Sequence, residues 1–171
     1  MSEIVDIVDK HDNVIGTDTR KNAHKSGKLH RGIHIILLNS KGILLPTRSA
    51  KRDAFPRTYD CSISEHVQHN EAYKHAAMRG AKEELGVSKP KLKKLIKFSL
   101  KYGPSNYKIS TLYECVYNGK VKLDKEEVER IAYVSKGKLK QMLVKNKSKF
   151  APWTYQILRW YLGMPSKVKI L

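Results

Sequence analysis

Cysteine is nearly absent from this chain of 171 residues, which contains only Cys61 and Cys115. Two cysteines exclude a disulfide-rich scaffold and a four-cysteine zinc site. No apolar run approaches the ~18 residues of a transmembrane helix, so we expect no membrane insertion. The first residues lack a basic segment followed by an apolar stretch, and we therefore expect no secretory signal. These absences predict a cytoplasmic protein.

Acidic residues are also scarce. The chain has 16 Asp and Glu against 34 Lys and Arg, which gives a formal net charge of +18. Such a surface attracts polyanions, either phosphate-rich small molecules or RNA and the ribosome, and an ordinary solvated lysine surface is the alternative. Two lysine-rich stretches at 89–101 and 136–149 carry much of the excess. With 40% hydrophobic residues the chain can still build a core, which excludes general disorder.

The order of apolar runs and turn residues predicts one mixed α/β domain over 1–171. Its parts are an N-terminal hairpin region (1–20), a central helix with its flanking loops (65–87) and C-terminal helices (136–162). Asn70 is the predicted N-cap of a helix over 71–85, and Gly86 ends that helix. Asn118 and Gly119 predict a hairpin turn between strands at 109–117 and 127–135. The other predicted strands are 4–8, 14–16, 34–38, 43–46, 60–67 and 94–101, and a short helix is predicted within 17–28.

The helix over 71–85 carries the residues best suited to chemistry. Glu83 and Glu84 are adjacent carboxylates near its end, and such hard oxygen ligands suit Mg²⁺, which can bridge diphosphate oxygens. Arg79 lies four residues before Glu83, so an ordinary solvated helix with an Arg79–Glu83 ion pair is the alternative.

This stretch resembles the Nudix box, G-x5-E-x7-R-E-U-x-E-E-x-G-U, where U is a bulky aliphatic residue. Glu71, Arg79, Glu83, Glu84 and Gly86 stand at matching positions. The resemblance implies an α/β/α sandwich with a mixed β-sheet, and an Mg²⁺- or Mn²⁺-dependent hydrolase of nucleoside diphosphate-linked or other diphosphate compounds. It makes Glu83 and Glu84 the catalytic metal ligands, and it makes Glu71, Arg79 and Gly86 structural members of the box.

Two positions depart from the box pattern. Glu65 stands where the opening glycine belongs, and Gly80 stands where the glutamate after the arginine belongs. Gly80 has no side chain to coordinate a metal ion, which implies weakened catalysis. Glu65 is a candidate to supply a carboxylate from the preceding loop and is therefore added to the predicted metal ligands.

Segments outside the box resemble the isopentenyl-diphosphate-isomerase-like branch of the Nudix proteins. They are 8–16, 29–31, 47–51, 55–56 and 150–153, so the resemblance covers nearly the whole chain. By this resemblance His24, His30 and His66 fall where the isomerases bind a metal ion, although ordinary hydrogen-bonded histidines are the alternative. Ser64 stands in place of the catalytic cysteine, and Asn106 and Lys108 stand near the positions of two glutamates.

A basic loop supplies the predicted substrate-binding residues, which are Arg48, Lys51, Arg52 and Arg57. Guanidinium and ammonium groups suit phosphate oxygens, and a solvated basic loop is the alternative. The leading hypothesis is a diphosphate hydrolase. The alternatives are a catalytically weak protein that binds RNA or the ribosome through its lysines, and isopentenyl-diphosphate isomerase.

Overall fold

The computed structural model describes residues 3–171, so positions 1 and 2 of the predicted hairpin region lie outside the described residues. In chain order the elements are β1 (Ile4–Val8), β2 (Val14–Thr19), α1 (Arg20–Lys25), β3 (His30–Asn39), β4 (Gly42–Arg48), β5 (Ile63–His66), α2 (Tyr73–Leu85), β6 (Lys93–Gly103), β7 (Asn106–Val116), β8 (Val128–Val134), α3 (Lys136–Lys145), a 3₁₀ turn (Lys147–Lys149), α4 (Pro152–Tyr161) and β9 (Lys169–Ile170).

Strand β3 is the centre of the sheet. It runs parallel to β7, with His30 opposite Lys108 and Leu38 opposite Val116. Along its length it also pairs antiparallel with β1, β4 and β5. The sheet extends through β6 and β9 on one side and through β1 and β2 on the other, while β8 joins at β4. The sheet is therefore mixed, and residues of β3 lie next to residues of four other strands.

Helices cover both faces of this sheet. The residues Ile33, Ile35 and Leu37 of β3 pack with the alanines of α2 and with Leu85. Ile36, between them, faces the other way and belongs to a cluster with residues of α3 and α4. This alternation is the two-residue period of a strand that is buried on both faces. The predicted α/β/α sandwich with a mixed sheet is confirmed.

Within residues 3–171 the structure contains no helix that is both long enough and apolar enough to cross a membrane.

The prediction of a hairpin turn at Asn118 and Gly119 is wrong. Strand β8 pairs with β4, with Ile43 opposite Val134, and not with β7. Both edges of β7 are already occupied, one by β3 and the other by β6. The segment between β7 and β8 therefore crosses to another part of the sheet, whatever its local turn preference.

The predicted N-cap at Asn70 is also wrong. Helix α2 begins at Tyr73, and its N-cap residue Ala72 has no side-chain capping bond. Asn70 instead adopts a left-handed conformation with φ of 59°, which asparagine tolerates better than most residues. The C-terminal prediction fits the structure: Gly86 follows Leu85 with φ of 65°, in the left-handed conformation that favours glycine at this position.

Candidate active site

A cavity of about 1000 Å³ opens beside the N-terminal half of β3. Its walls come from α1, from β5, from the loop after β4 and from the β6–β7 hairpin. One end contains Arg20, His24 and Lys108, and the other contains Arg52, Glu127 and Trp153. The segments that form it lie far apart in the chain, so the cavity exists only when the sheet is assembled.

Asp60 is the buried polar centre beneath this cavity. Its Oδ1 accepts hydrogen bonds from Ser64 Oγ at 2.8 Å, Trp153 Nε1 at 2.8 Å and Thr154 Oγ1 at 2.7 Å. Its Oδ2 accepts from Arg48 Nη1 at 2.6 Å. Burial alone raises the pKa of Asp60, but the Arg48 guanidinium and the hydrogen bonds outweigh burial and hold this pKa below its ordinary value. The Asp60 carboxylate therefore connects β4 and β5 to α4.

The predicted substrate-binding residues differ in how firmly they are bonded to other groups of the protein. Arg48 is committed to structure, because it bonds Asp60 and the carbonyl of Ala54 and stacks over the Trp153 ring. Lys51 and Arg52 line the cavity and pair with Glu126 and Glu127, respectively. Arg57 is exposed and is not part of the cavity wall. Lys51 and Arg52 therefore line the cavity, and a ligand can replace the glutamates with which they pair.

Two members of the predicted box form a tight ion pair at the start of α2. Arg79 donates from Nε to Glu71 Oε1 at 2.9 Å and from Nη2 to Glu71 Oε2 at 3.0 Å. The same Nη2 donates to the carbonyl oxygen of His66 at 2.8 Å. This bidentate geometry fastens the loop before α2 to the helix and to the end of β5.

The two adjacent glutamates of α2 point to different environments. Glu83 is 54% exposed, and its Oε2 lies 3.1 Å from Arg79 Nη1. Glu84 is buried, and within residues 3–171 it forms no ion pair. Burial raises the pKa of Glu84, and the nearby carboxylates of Glu65, Asp60 and Glu127 raise it further. Glu84 is thus a buried acid that feels the charges of other acids and forms no ion pair within residues 3–171.

The two departures from the box pattern are in direct contact. A Cβ added at Gly80 would lie 3.2 Å from the Glu65 Cβ and 3.1 Å from Ile63 Cγ2. The Glu65 side chain therefore lies against α2 in the space that a side chain at position 80 would need. Burial raises the pKa of Glu65, as it does for Glu84.

Two groups of side chains bring metal-ligating atoms within 4.8 Å of one another in the described part of the chain. One group is the three-histidine cluster of His24, His30 and His66, and the other contains Glu3, Glu65 and His66. Glu83 and Glu84 belong to neither group. Of the predicted carboxylate ligands Glu65, Glu83 and Glu84, the structure therefore places Glu65 in such a group, and the other acid there is Glu3.

Lys108 reaches the three-histidine cluster. Its Nζ lies 2.8 Å from His66 Nε2. Burial, followed by the positive charge of Arg20, lowers the pKa of Lys108 to about 7. Burial and the charge of Lys108 also lower the pKa of His24 to about 4 and that of His30 to about 3. The histidines are therefore neutral near pH 7.

Sequence reasoning missed Asp60, Arg20 and the cavity role of Lys108. Asp60 gave no signal because it is a single acid in an extended segment.

Ser64, His34 and Asp60 form a chain of hydrogen bonds, in which His34 Nδ1 lies 2.9 Å from Ser64 Oγ. The carboxylate here bonds the hydroxyl and not the imidazole, so the order of a nucleophilic triad is absent from this group.

Comparison with known proteins gives consistent results. The NUDIX domain model matches residues 28–161. An uncharacterized Nudix hydrolase of Streptomyces coelicolor is 34% identical over 82% of this chain and 79% of its own length. Isopentenyl-diphosphate Delta-isomerase 2 of Photorhabdus laumondii is 35% identical over 79% of this chain and 75% of its own.

Solved structures show the same fold. A crystal structure of a Deinococcus radiodurans protein superposes with a TM-score of 0.77 at 22% identity and covers 92% of this chain and 98% of that one. A MutT protein from Methanosarcina mazei gives a TM-score of 0.64 at 17% identity, with 79% and 93% covered.

Replacing the central acid tests its structural role. We expect Asp60→Asn to lower the free energy of unfolding by about 3 kcal/mol at pH 7, because it leaves the largely buried Arg48 without its counter-charge. Since the folded pKa of Asp60 is depressed, its stabilisation is present above the unfolded pKa and is lost as pH falls through the folded pKa. Urea unfolding at pH 7 and in acid measures both effects. The exposed Asp53→Asn is the control, and equal stabilities of the two variants would contradict the assignment.

A second pair of substitutions tests the Glu65–Gly80 exchange. We expect Gly80→Glu alone to destabilise the protein by about 1–3 kcal/mol through overpacking against Glu65. The double variant Glu65→Gly with Gly80→Glu should recover most of this loss, with a coupling energy above about 1 kcal/mol in a double-mutant cycle. A side chain added at Gly137 of α3 would meet open space, so Glu65→Gly with Gly137→Glu is the matched control. Purely additive effects in both cycles would overturn the exchange.

Proposed function

Because this chain belongs to the Nudix family, we propose that it hydrolyses a diphosphate compound with the help of a divalent metal ion, Mg²⁺ or Mn²⁺. The family resemblance seen in the sequence is confirmed, and Nudix hydrolases act on substrates that contain a diphosphate. The observation that carries the proposal for this chain is the buried carboxylate of Glu84, which forms no ion pair within residues 3–171, whereas its acidic neighbours Glu65, Asp60 and Glu127 each pair with an arginine. A divalent ion would supply the counter-charge that Glu84 lacks.

The donor set fits a hard cation. We assign Glu65 and Glu84 as metal ligands, supported by their burial and by the effect of the Glu65 charge on Glu84. Glu3 lies beside Glu65 as a further carboxylate donor and would exchange its Arg20 partner for the ion. When bound, the ion supplies neutralisation of diphosphate charge and activation of water. The contact between Glu65 and Gly80 supports full rather than weakened metal binding, because the carboxylate missing from α2 is supplied by β5.

Glu83 keeps its predicted role as a ligand under this proposal, with one difference. Its carboxylate contacts Arg79 at 3.1 Å, so it must exchange that partner before it can reach an ion. We therefore expect Glu83 to contribute less to metal affinity than Glu84. Arg79 and Glu71 hold the loop and helix in position and do not need to touch the substrate.

The cavity walls support an organic diphosphate as the substrate. Lys51 and Arg52 can exchange Glu126 and Glu127 for phosphate oxygens, which are good bidentate acceptors for a guanidinium. Near them Phe55 and Tyr102 each meet the Trp153 ring edge-on, with ring centroids 5.5 Å apart in both pairs. These rings offer an apolar wall for the nucleoside or other group linked to the diphosphate. The cytoplasm remains the proposed location.

Isomerase activity is the second candidate, because the three-histidine cluster and the isomerase relatives favour it. Ser64 weighs against it. A hydroxyl is a much weaker acid than a thiol, and this one already donates to Asp60 and bonds the ring of His34. Nothing in the comparisons supports the alternative of RNA or ribosome binding.

Hydrolysis of a panel of nucleoside diphosphate-linked compounds in Mg²⁺ or Mn²⁺ tests the proposal. We expect Glu84→Gln and Glu65→Gln each to lower kcat/KM by at least about 100-fold, which corresponds to ~2.7 kcal/mol of transition-state stabilisation. Glu83→Gln should cost less. Glu129→Gln on β8 is the control and should match the unchanged protein. Turnover that survives both Glu84→Gln and Glu65→Gln would refute the assignment, and conversion of isopentenyl diphosphate to its allylic isomer would favour the second candidate.

Metal binding should also be measurable as a change in stability. Burial and the neighbouring acids disfavour the ionised form of Glu84, so at a pH above its raised pKa we expect the metal-free Glu84→Gln variant to melt at a higher temperature than the unchanged protein. The rise in Tm that Mn²⁺ gives to the unchanged protein should be strongly reduced in the variant. Thermal unfolding in EDTA and in Mn²⁺ measures both. A variant that is less stable in EDTA and still gains the full Mn²⁺ stabilisation would contradict the role of Glu84.

A further inference from the structure

The three-histidine cluster and Lys108 form a second set of functional groups that lies beside the proposed metal ligands. The three imidazoles come from the end of α1, the start of β3 and the end of β5. Their rings are in contact, with centroids 4.8 Å apart for His24 and His30 and 5.5 Å apart for His30 and His66. Lys108 reaches them from β7, on the strand that runs parallel to β3.

The proton on His30 can be placed from its partner. His30 Nδ1 lies 2.8 Å from the carbonyl oxygen of Lys28, and a carbonyl only accepts, so Nδ1 carries the hydrogen. The lone pair is therefore on Nε2, which is buried and has no hydrogen-bond partner within the described residues. Three converging ring nitrogens with one tautomer fixed in this way would, without Lys108, suit a transition-metal ion.

Lys108 changes this conclusion. Its Nζ lies 2.8 Å from His66 Nε2, and His24 Nε2 lies 2.9 Å from the same nitrogen. In its ammonium form Lys108 has donors but no acceptor, so in that form it takes the lone pair of His66 that a metal ion would need. A divalent ion among the three histidines would also lie directly beside this ammonium, and two like charges at such a distance repel strongly in a buried site. The cluster with Lys108 in place does not fit a metal ion.

The surroundings of Lys108 fit an anion instead. Lys108 lines the cavity together with Arg20, Lys21, Lys25 and Asn106. The nearby acids are engaged elsewhere: Glu3 bonds Arg20 at 3.1 Å, and Glu65 accepts from the backbone N–H of His66. Lys108 forms no ion pair among residues 3–171. This end of the cavity therefore combines several cations with an ammonium that has one protein partner and two further donors.

We infer that Lys108 takes the place of a metal ion at the three-histidine cluster and that its ammonium binds a phosphate group of the substrate. His66 fixes the position of Lys108, and the two remaining N–H groups of the ammonium are free to donate to phosphate oxygens. The positive charge of Lys108 belongs to a side chain of the protein, so it does not depend on a bound metal ion. The inference rests on the proposed function for the identity of the substrate, but it is testable without turnover.

The first experiment follows the histidine ring nitrogens by ¹H–¹⁵N NMR while Zn²⁺ is added. In the unchanged protein we expect the Nε2 signals of His24 and His30 to stay in place at one equivalent of Zn²⁺. In Lys108→Met they should shift to metal-bound positions, because the competing ammonium is gone. Lys101→Met, an exposed lysine on β6, is the matched control and should behave like the unchanged protein. Histidine shifts in the unchanged protein would overturn the inference.

The second experiment measures the binding of inorganic pyrophosphate by calorimetry in EDTA, so that no metal ion contributes. We expect Lys108→Met to weaken binding at least about tenfold, which is ~1.4 kcal/mol, while Lys101→Met leaves it unchanged. Equal affinity of Lys108→Met and the unchanged protein would overturn the inference even if hydrolysis is observed. Conversely, loss of pyrophosphate binding in Lys108→Met would support it even if the Glu84 and Glu65 variants show no effect on turnover. Lys108→Gln, which keeps a polar side chain, replaces Lys108→Met if the latter does not fold.

Discussion

The buried carboxylate of Asp60 is the interaction on which the rest of the site depends. Its two oxygens bond Arg48 at the end of β4, Ser64 on β5, and Trp153 and Thr154 on α4. An unpaired charge at this depth would be very costly, and here both oxygens have donors. One side chain therefore sets the position of the cavity floor relative to the helix layer behind it.

The charges of the site form an acidic group and a cationic group that adjoin each other. Glu84 and Glu65 are the acids at α2, and Arg20 and Lys108 are the cations that lie next to Glu65 in the lining of the cavity. A net charge of +18 describes the whole molecule but hides this arrangement. Under the proposed function the acids would hold the metal ion, and the cations would hold phosphate oxygens that the ion does not reach.

The elements with strong local signals could be predicted from the sequence. The β3–β4 hairpin has its turn residues between two apolar runs, and Gly86 marks the end of α2. The hairpin at Asn118 failed because the pairing of β8 depends on which sheet edges are free, and that is not a local property. Glu65 and Gly80 illustrate the same limit within the site. Each is a departure from the family pattern in the sequence, and only the structure brings them together, with the Glu65 side chain in space that a side chain at position 80 would need.

The position of β3 also has a consequence for dynamics. This strand carries His30 and His34 and is bonded along its length to β7, with β5 on its other edge. Its amide hydrogens can exchange with solvent only when several strands separate together, so their exchange reports the opening of the whole sheet. The wall of the site built on β3 thus persists as long as the native state itself. Local motions that admit or release a ligand must therefore occur in the loops around it.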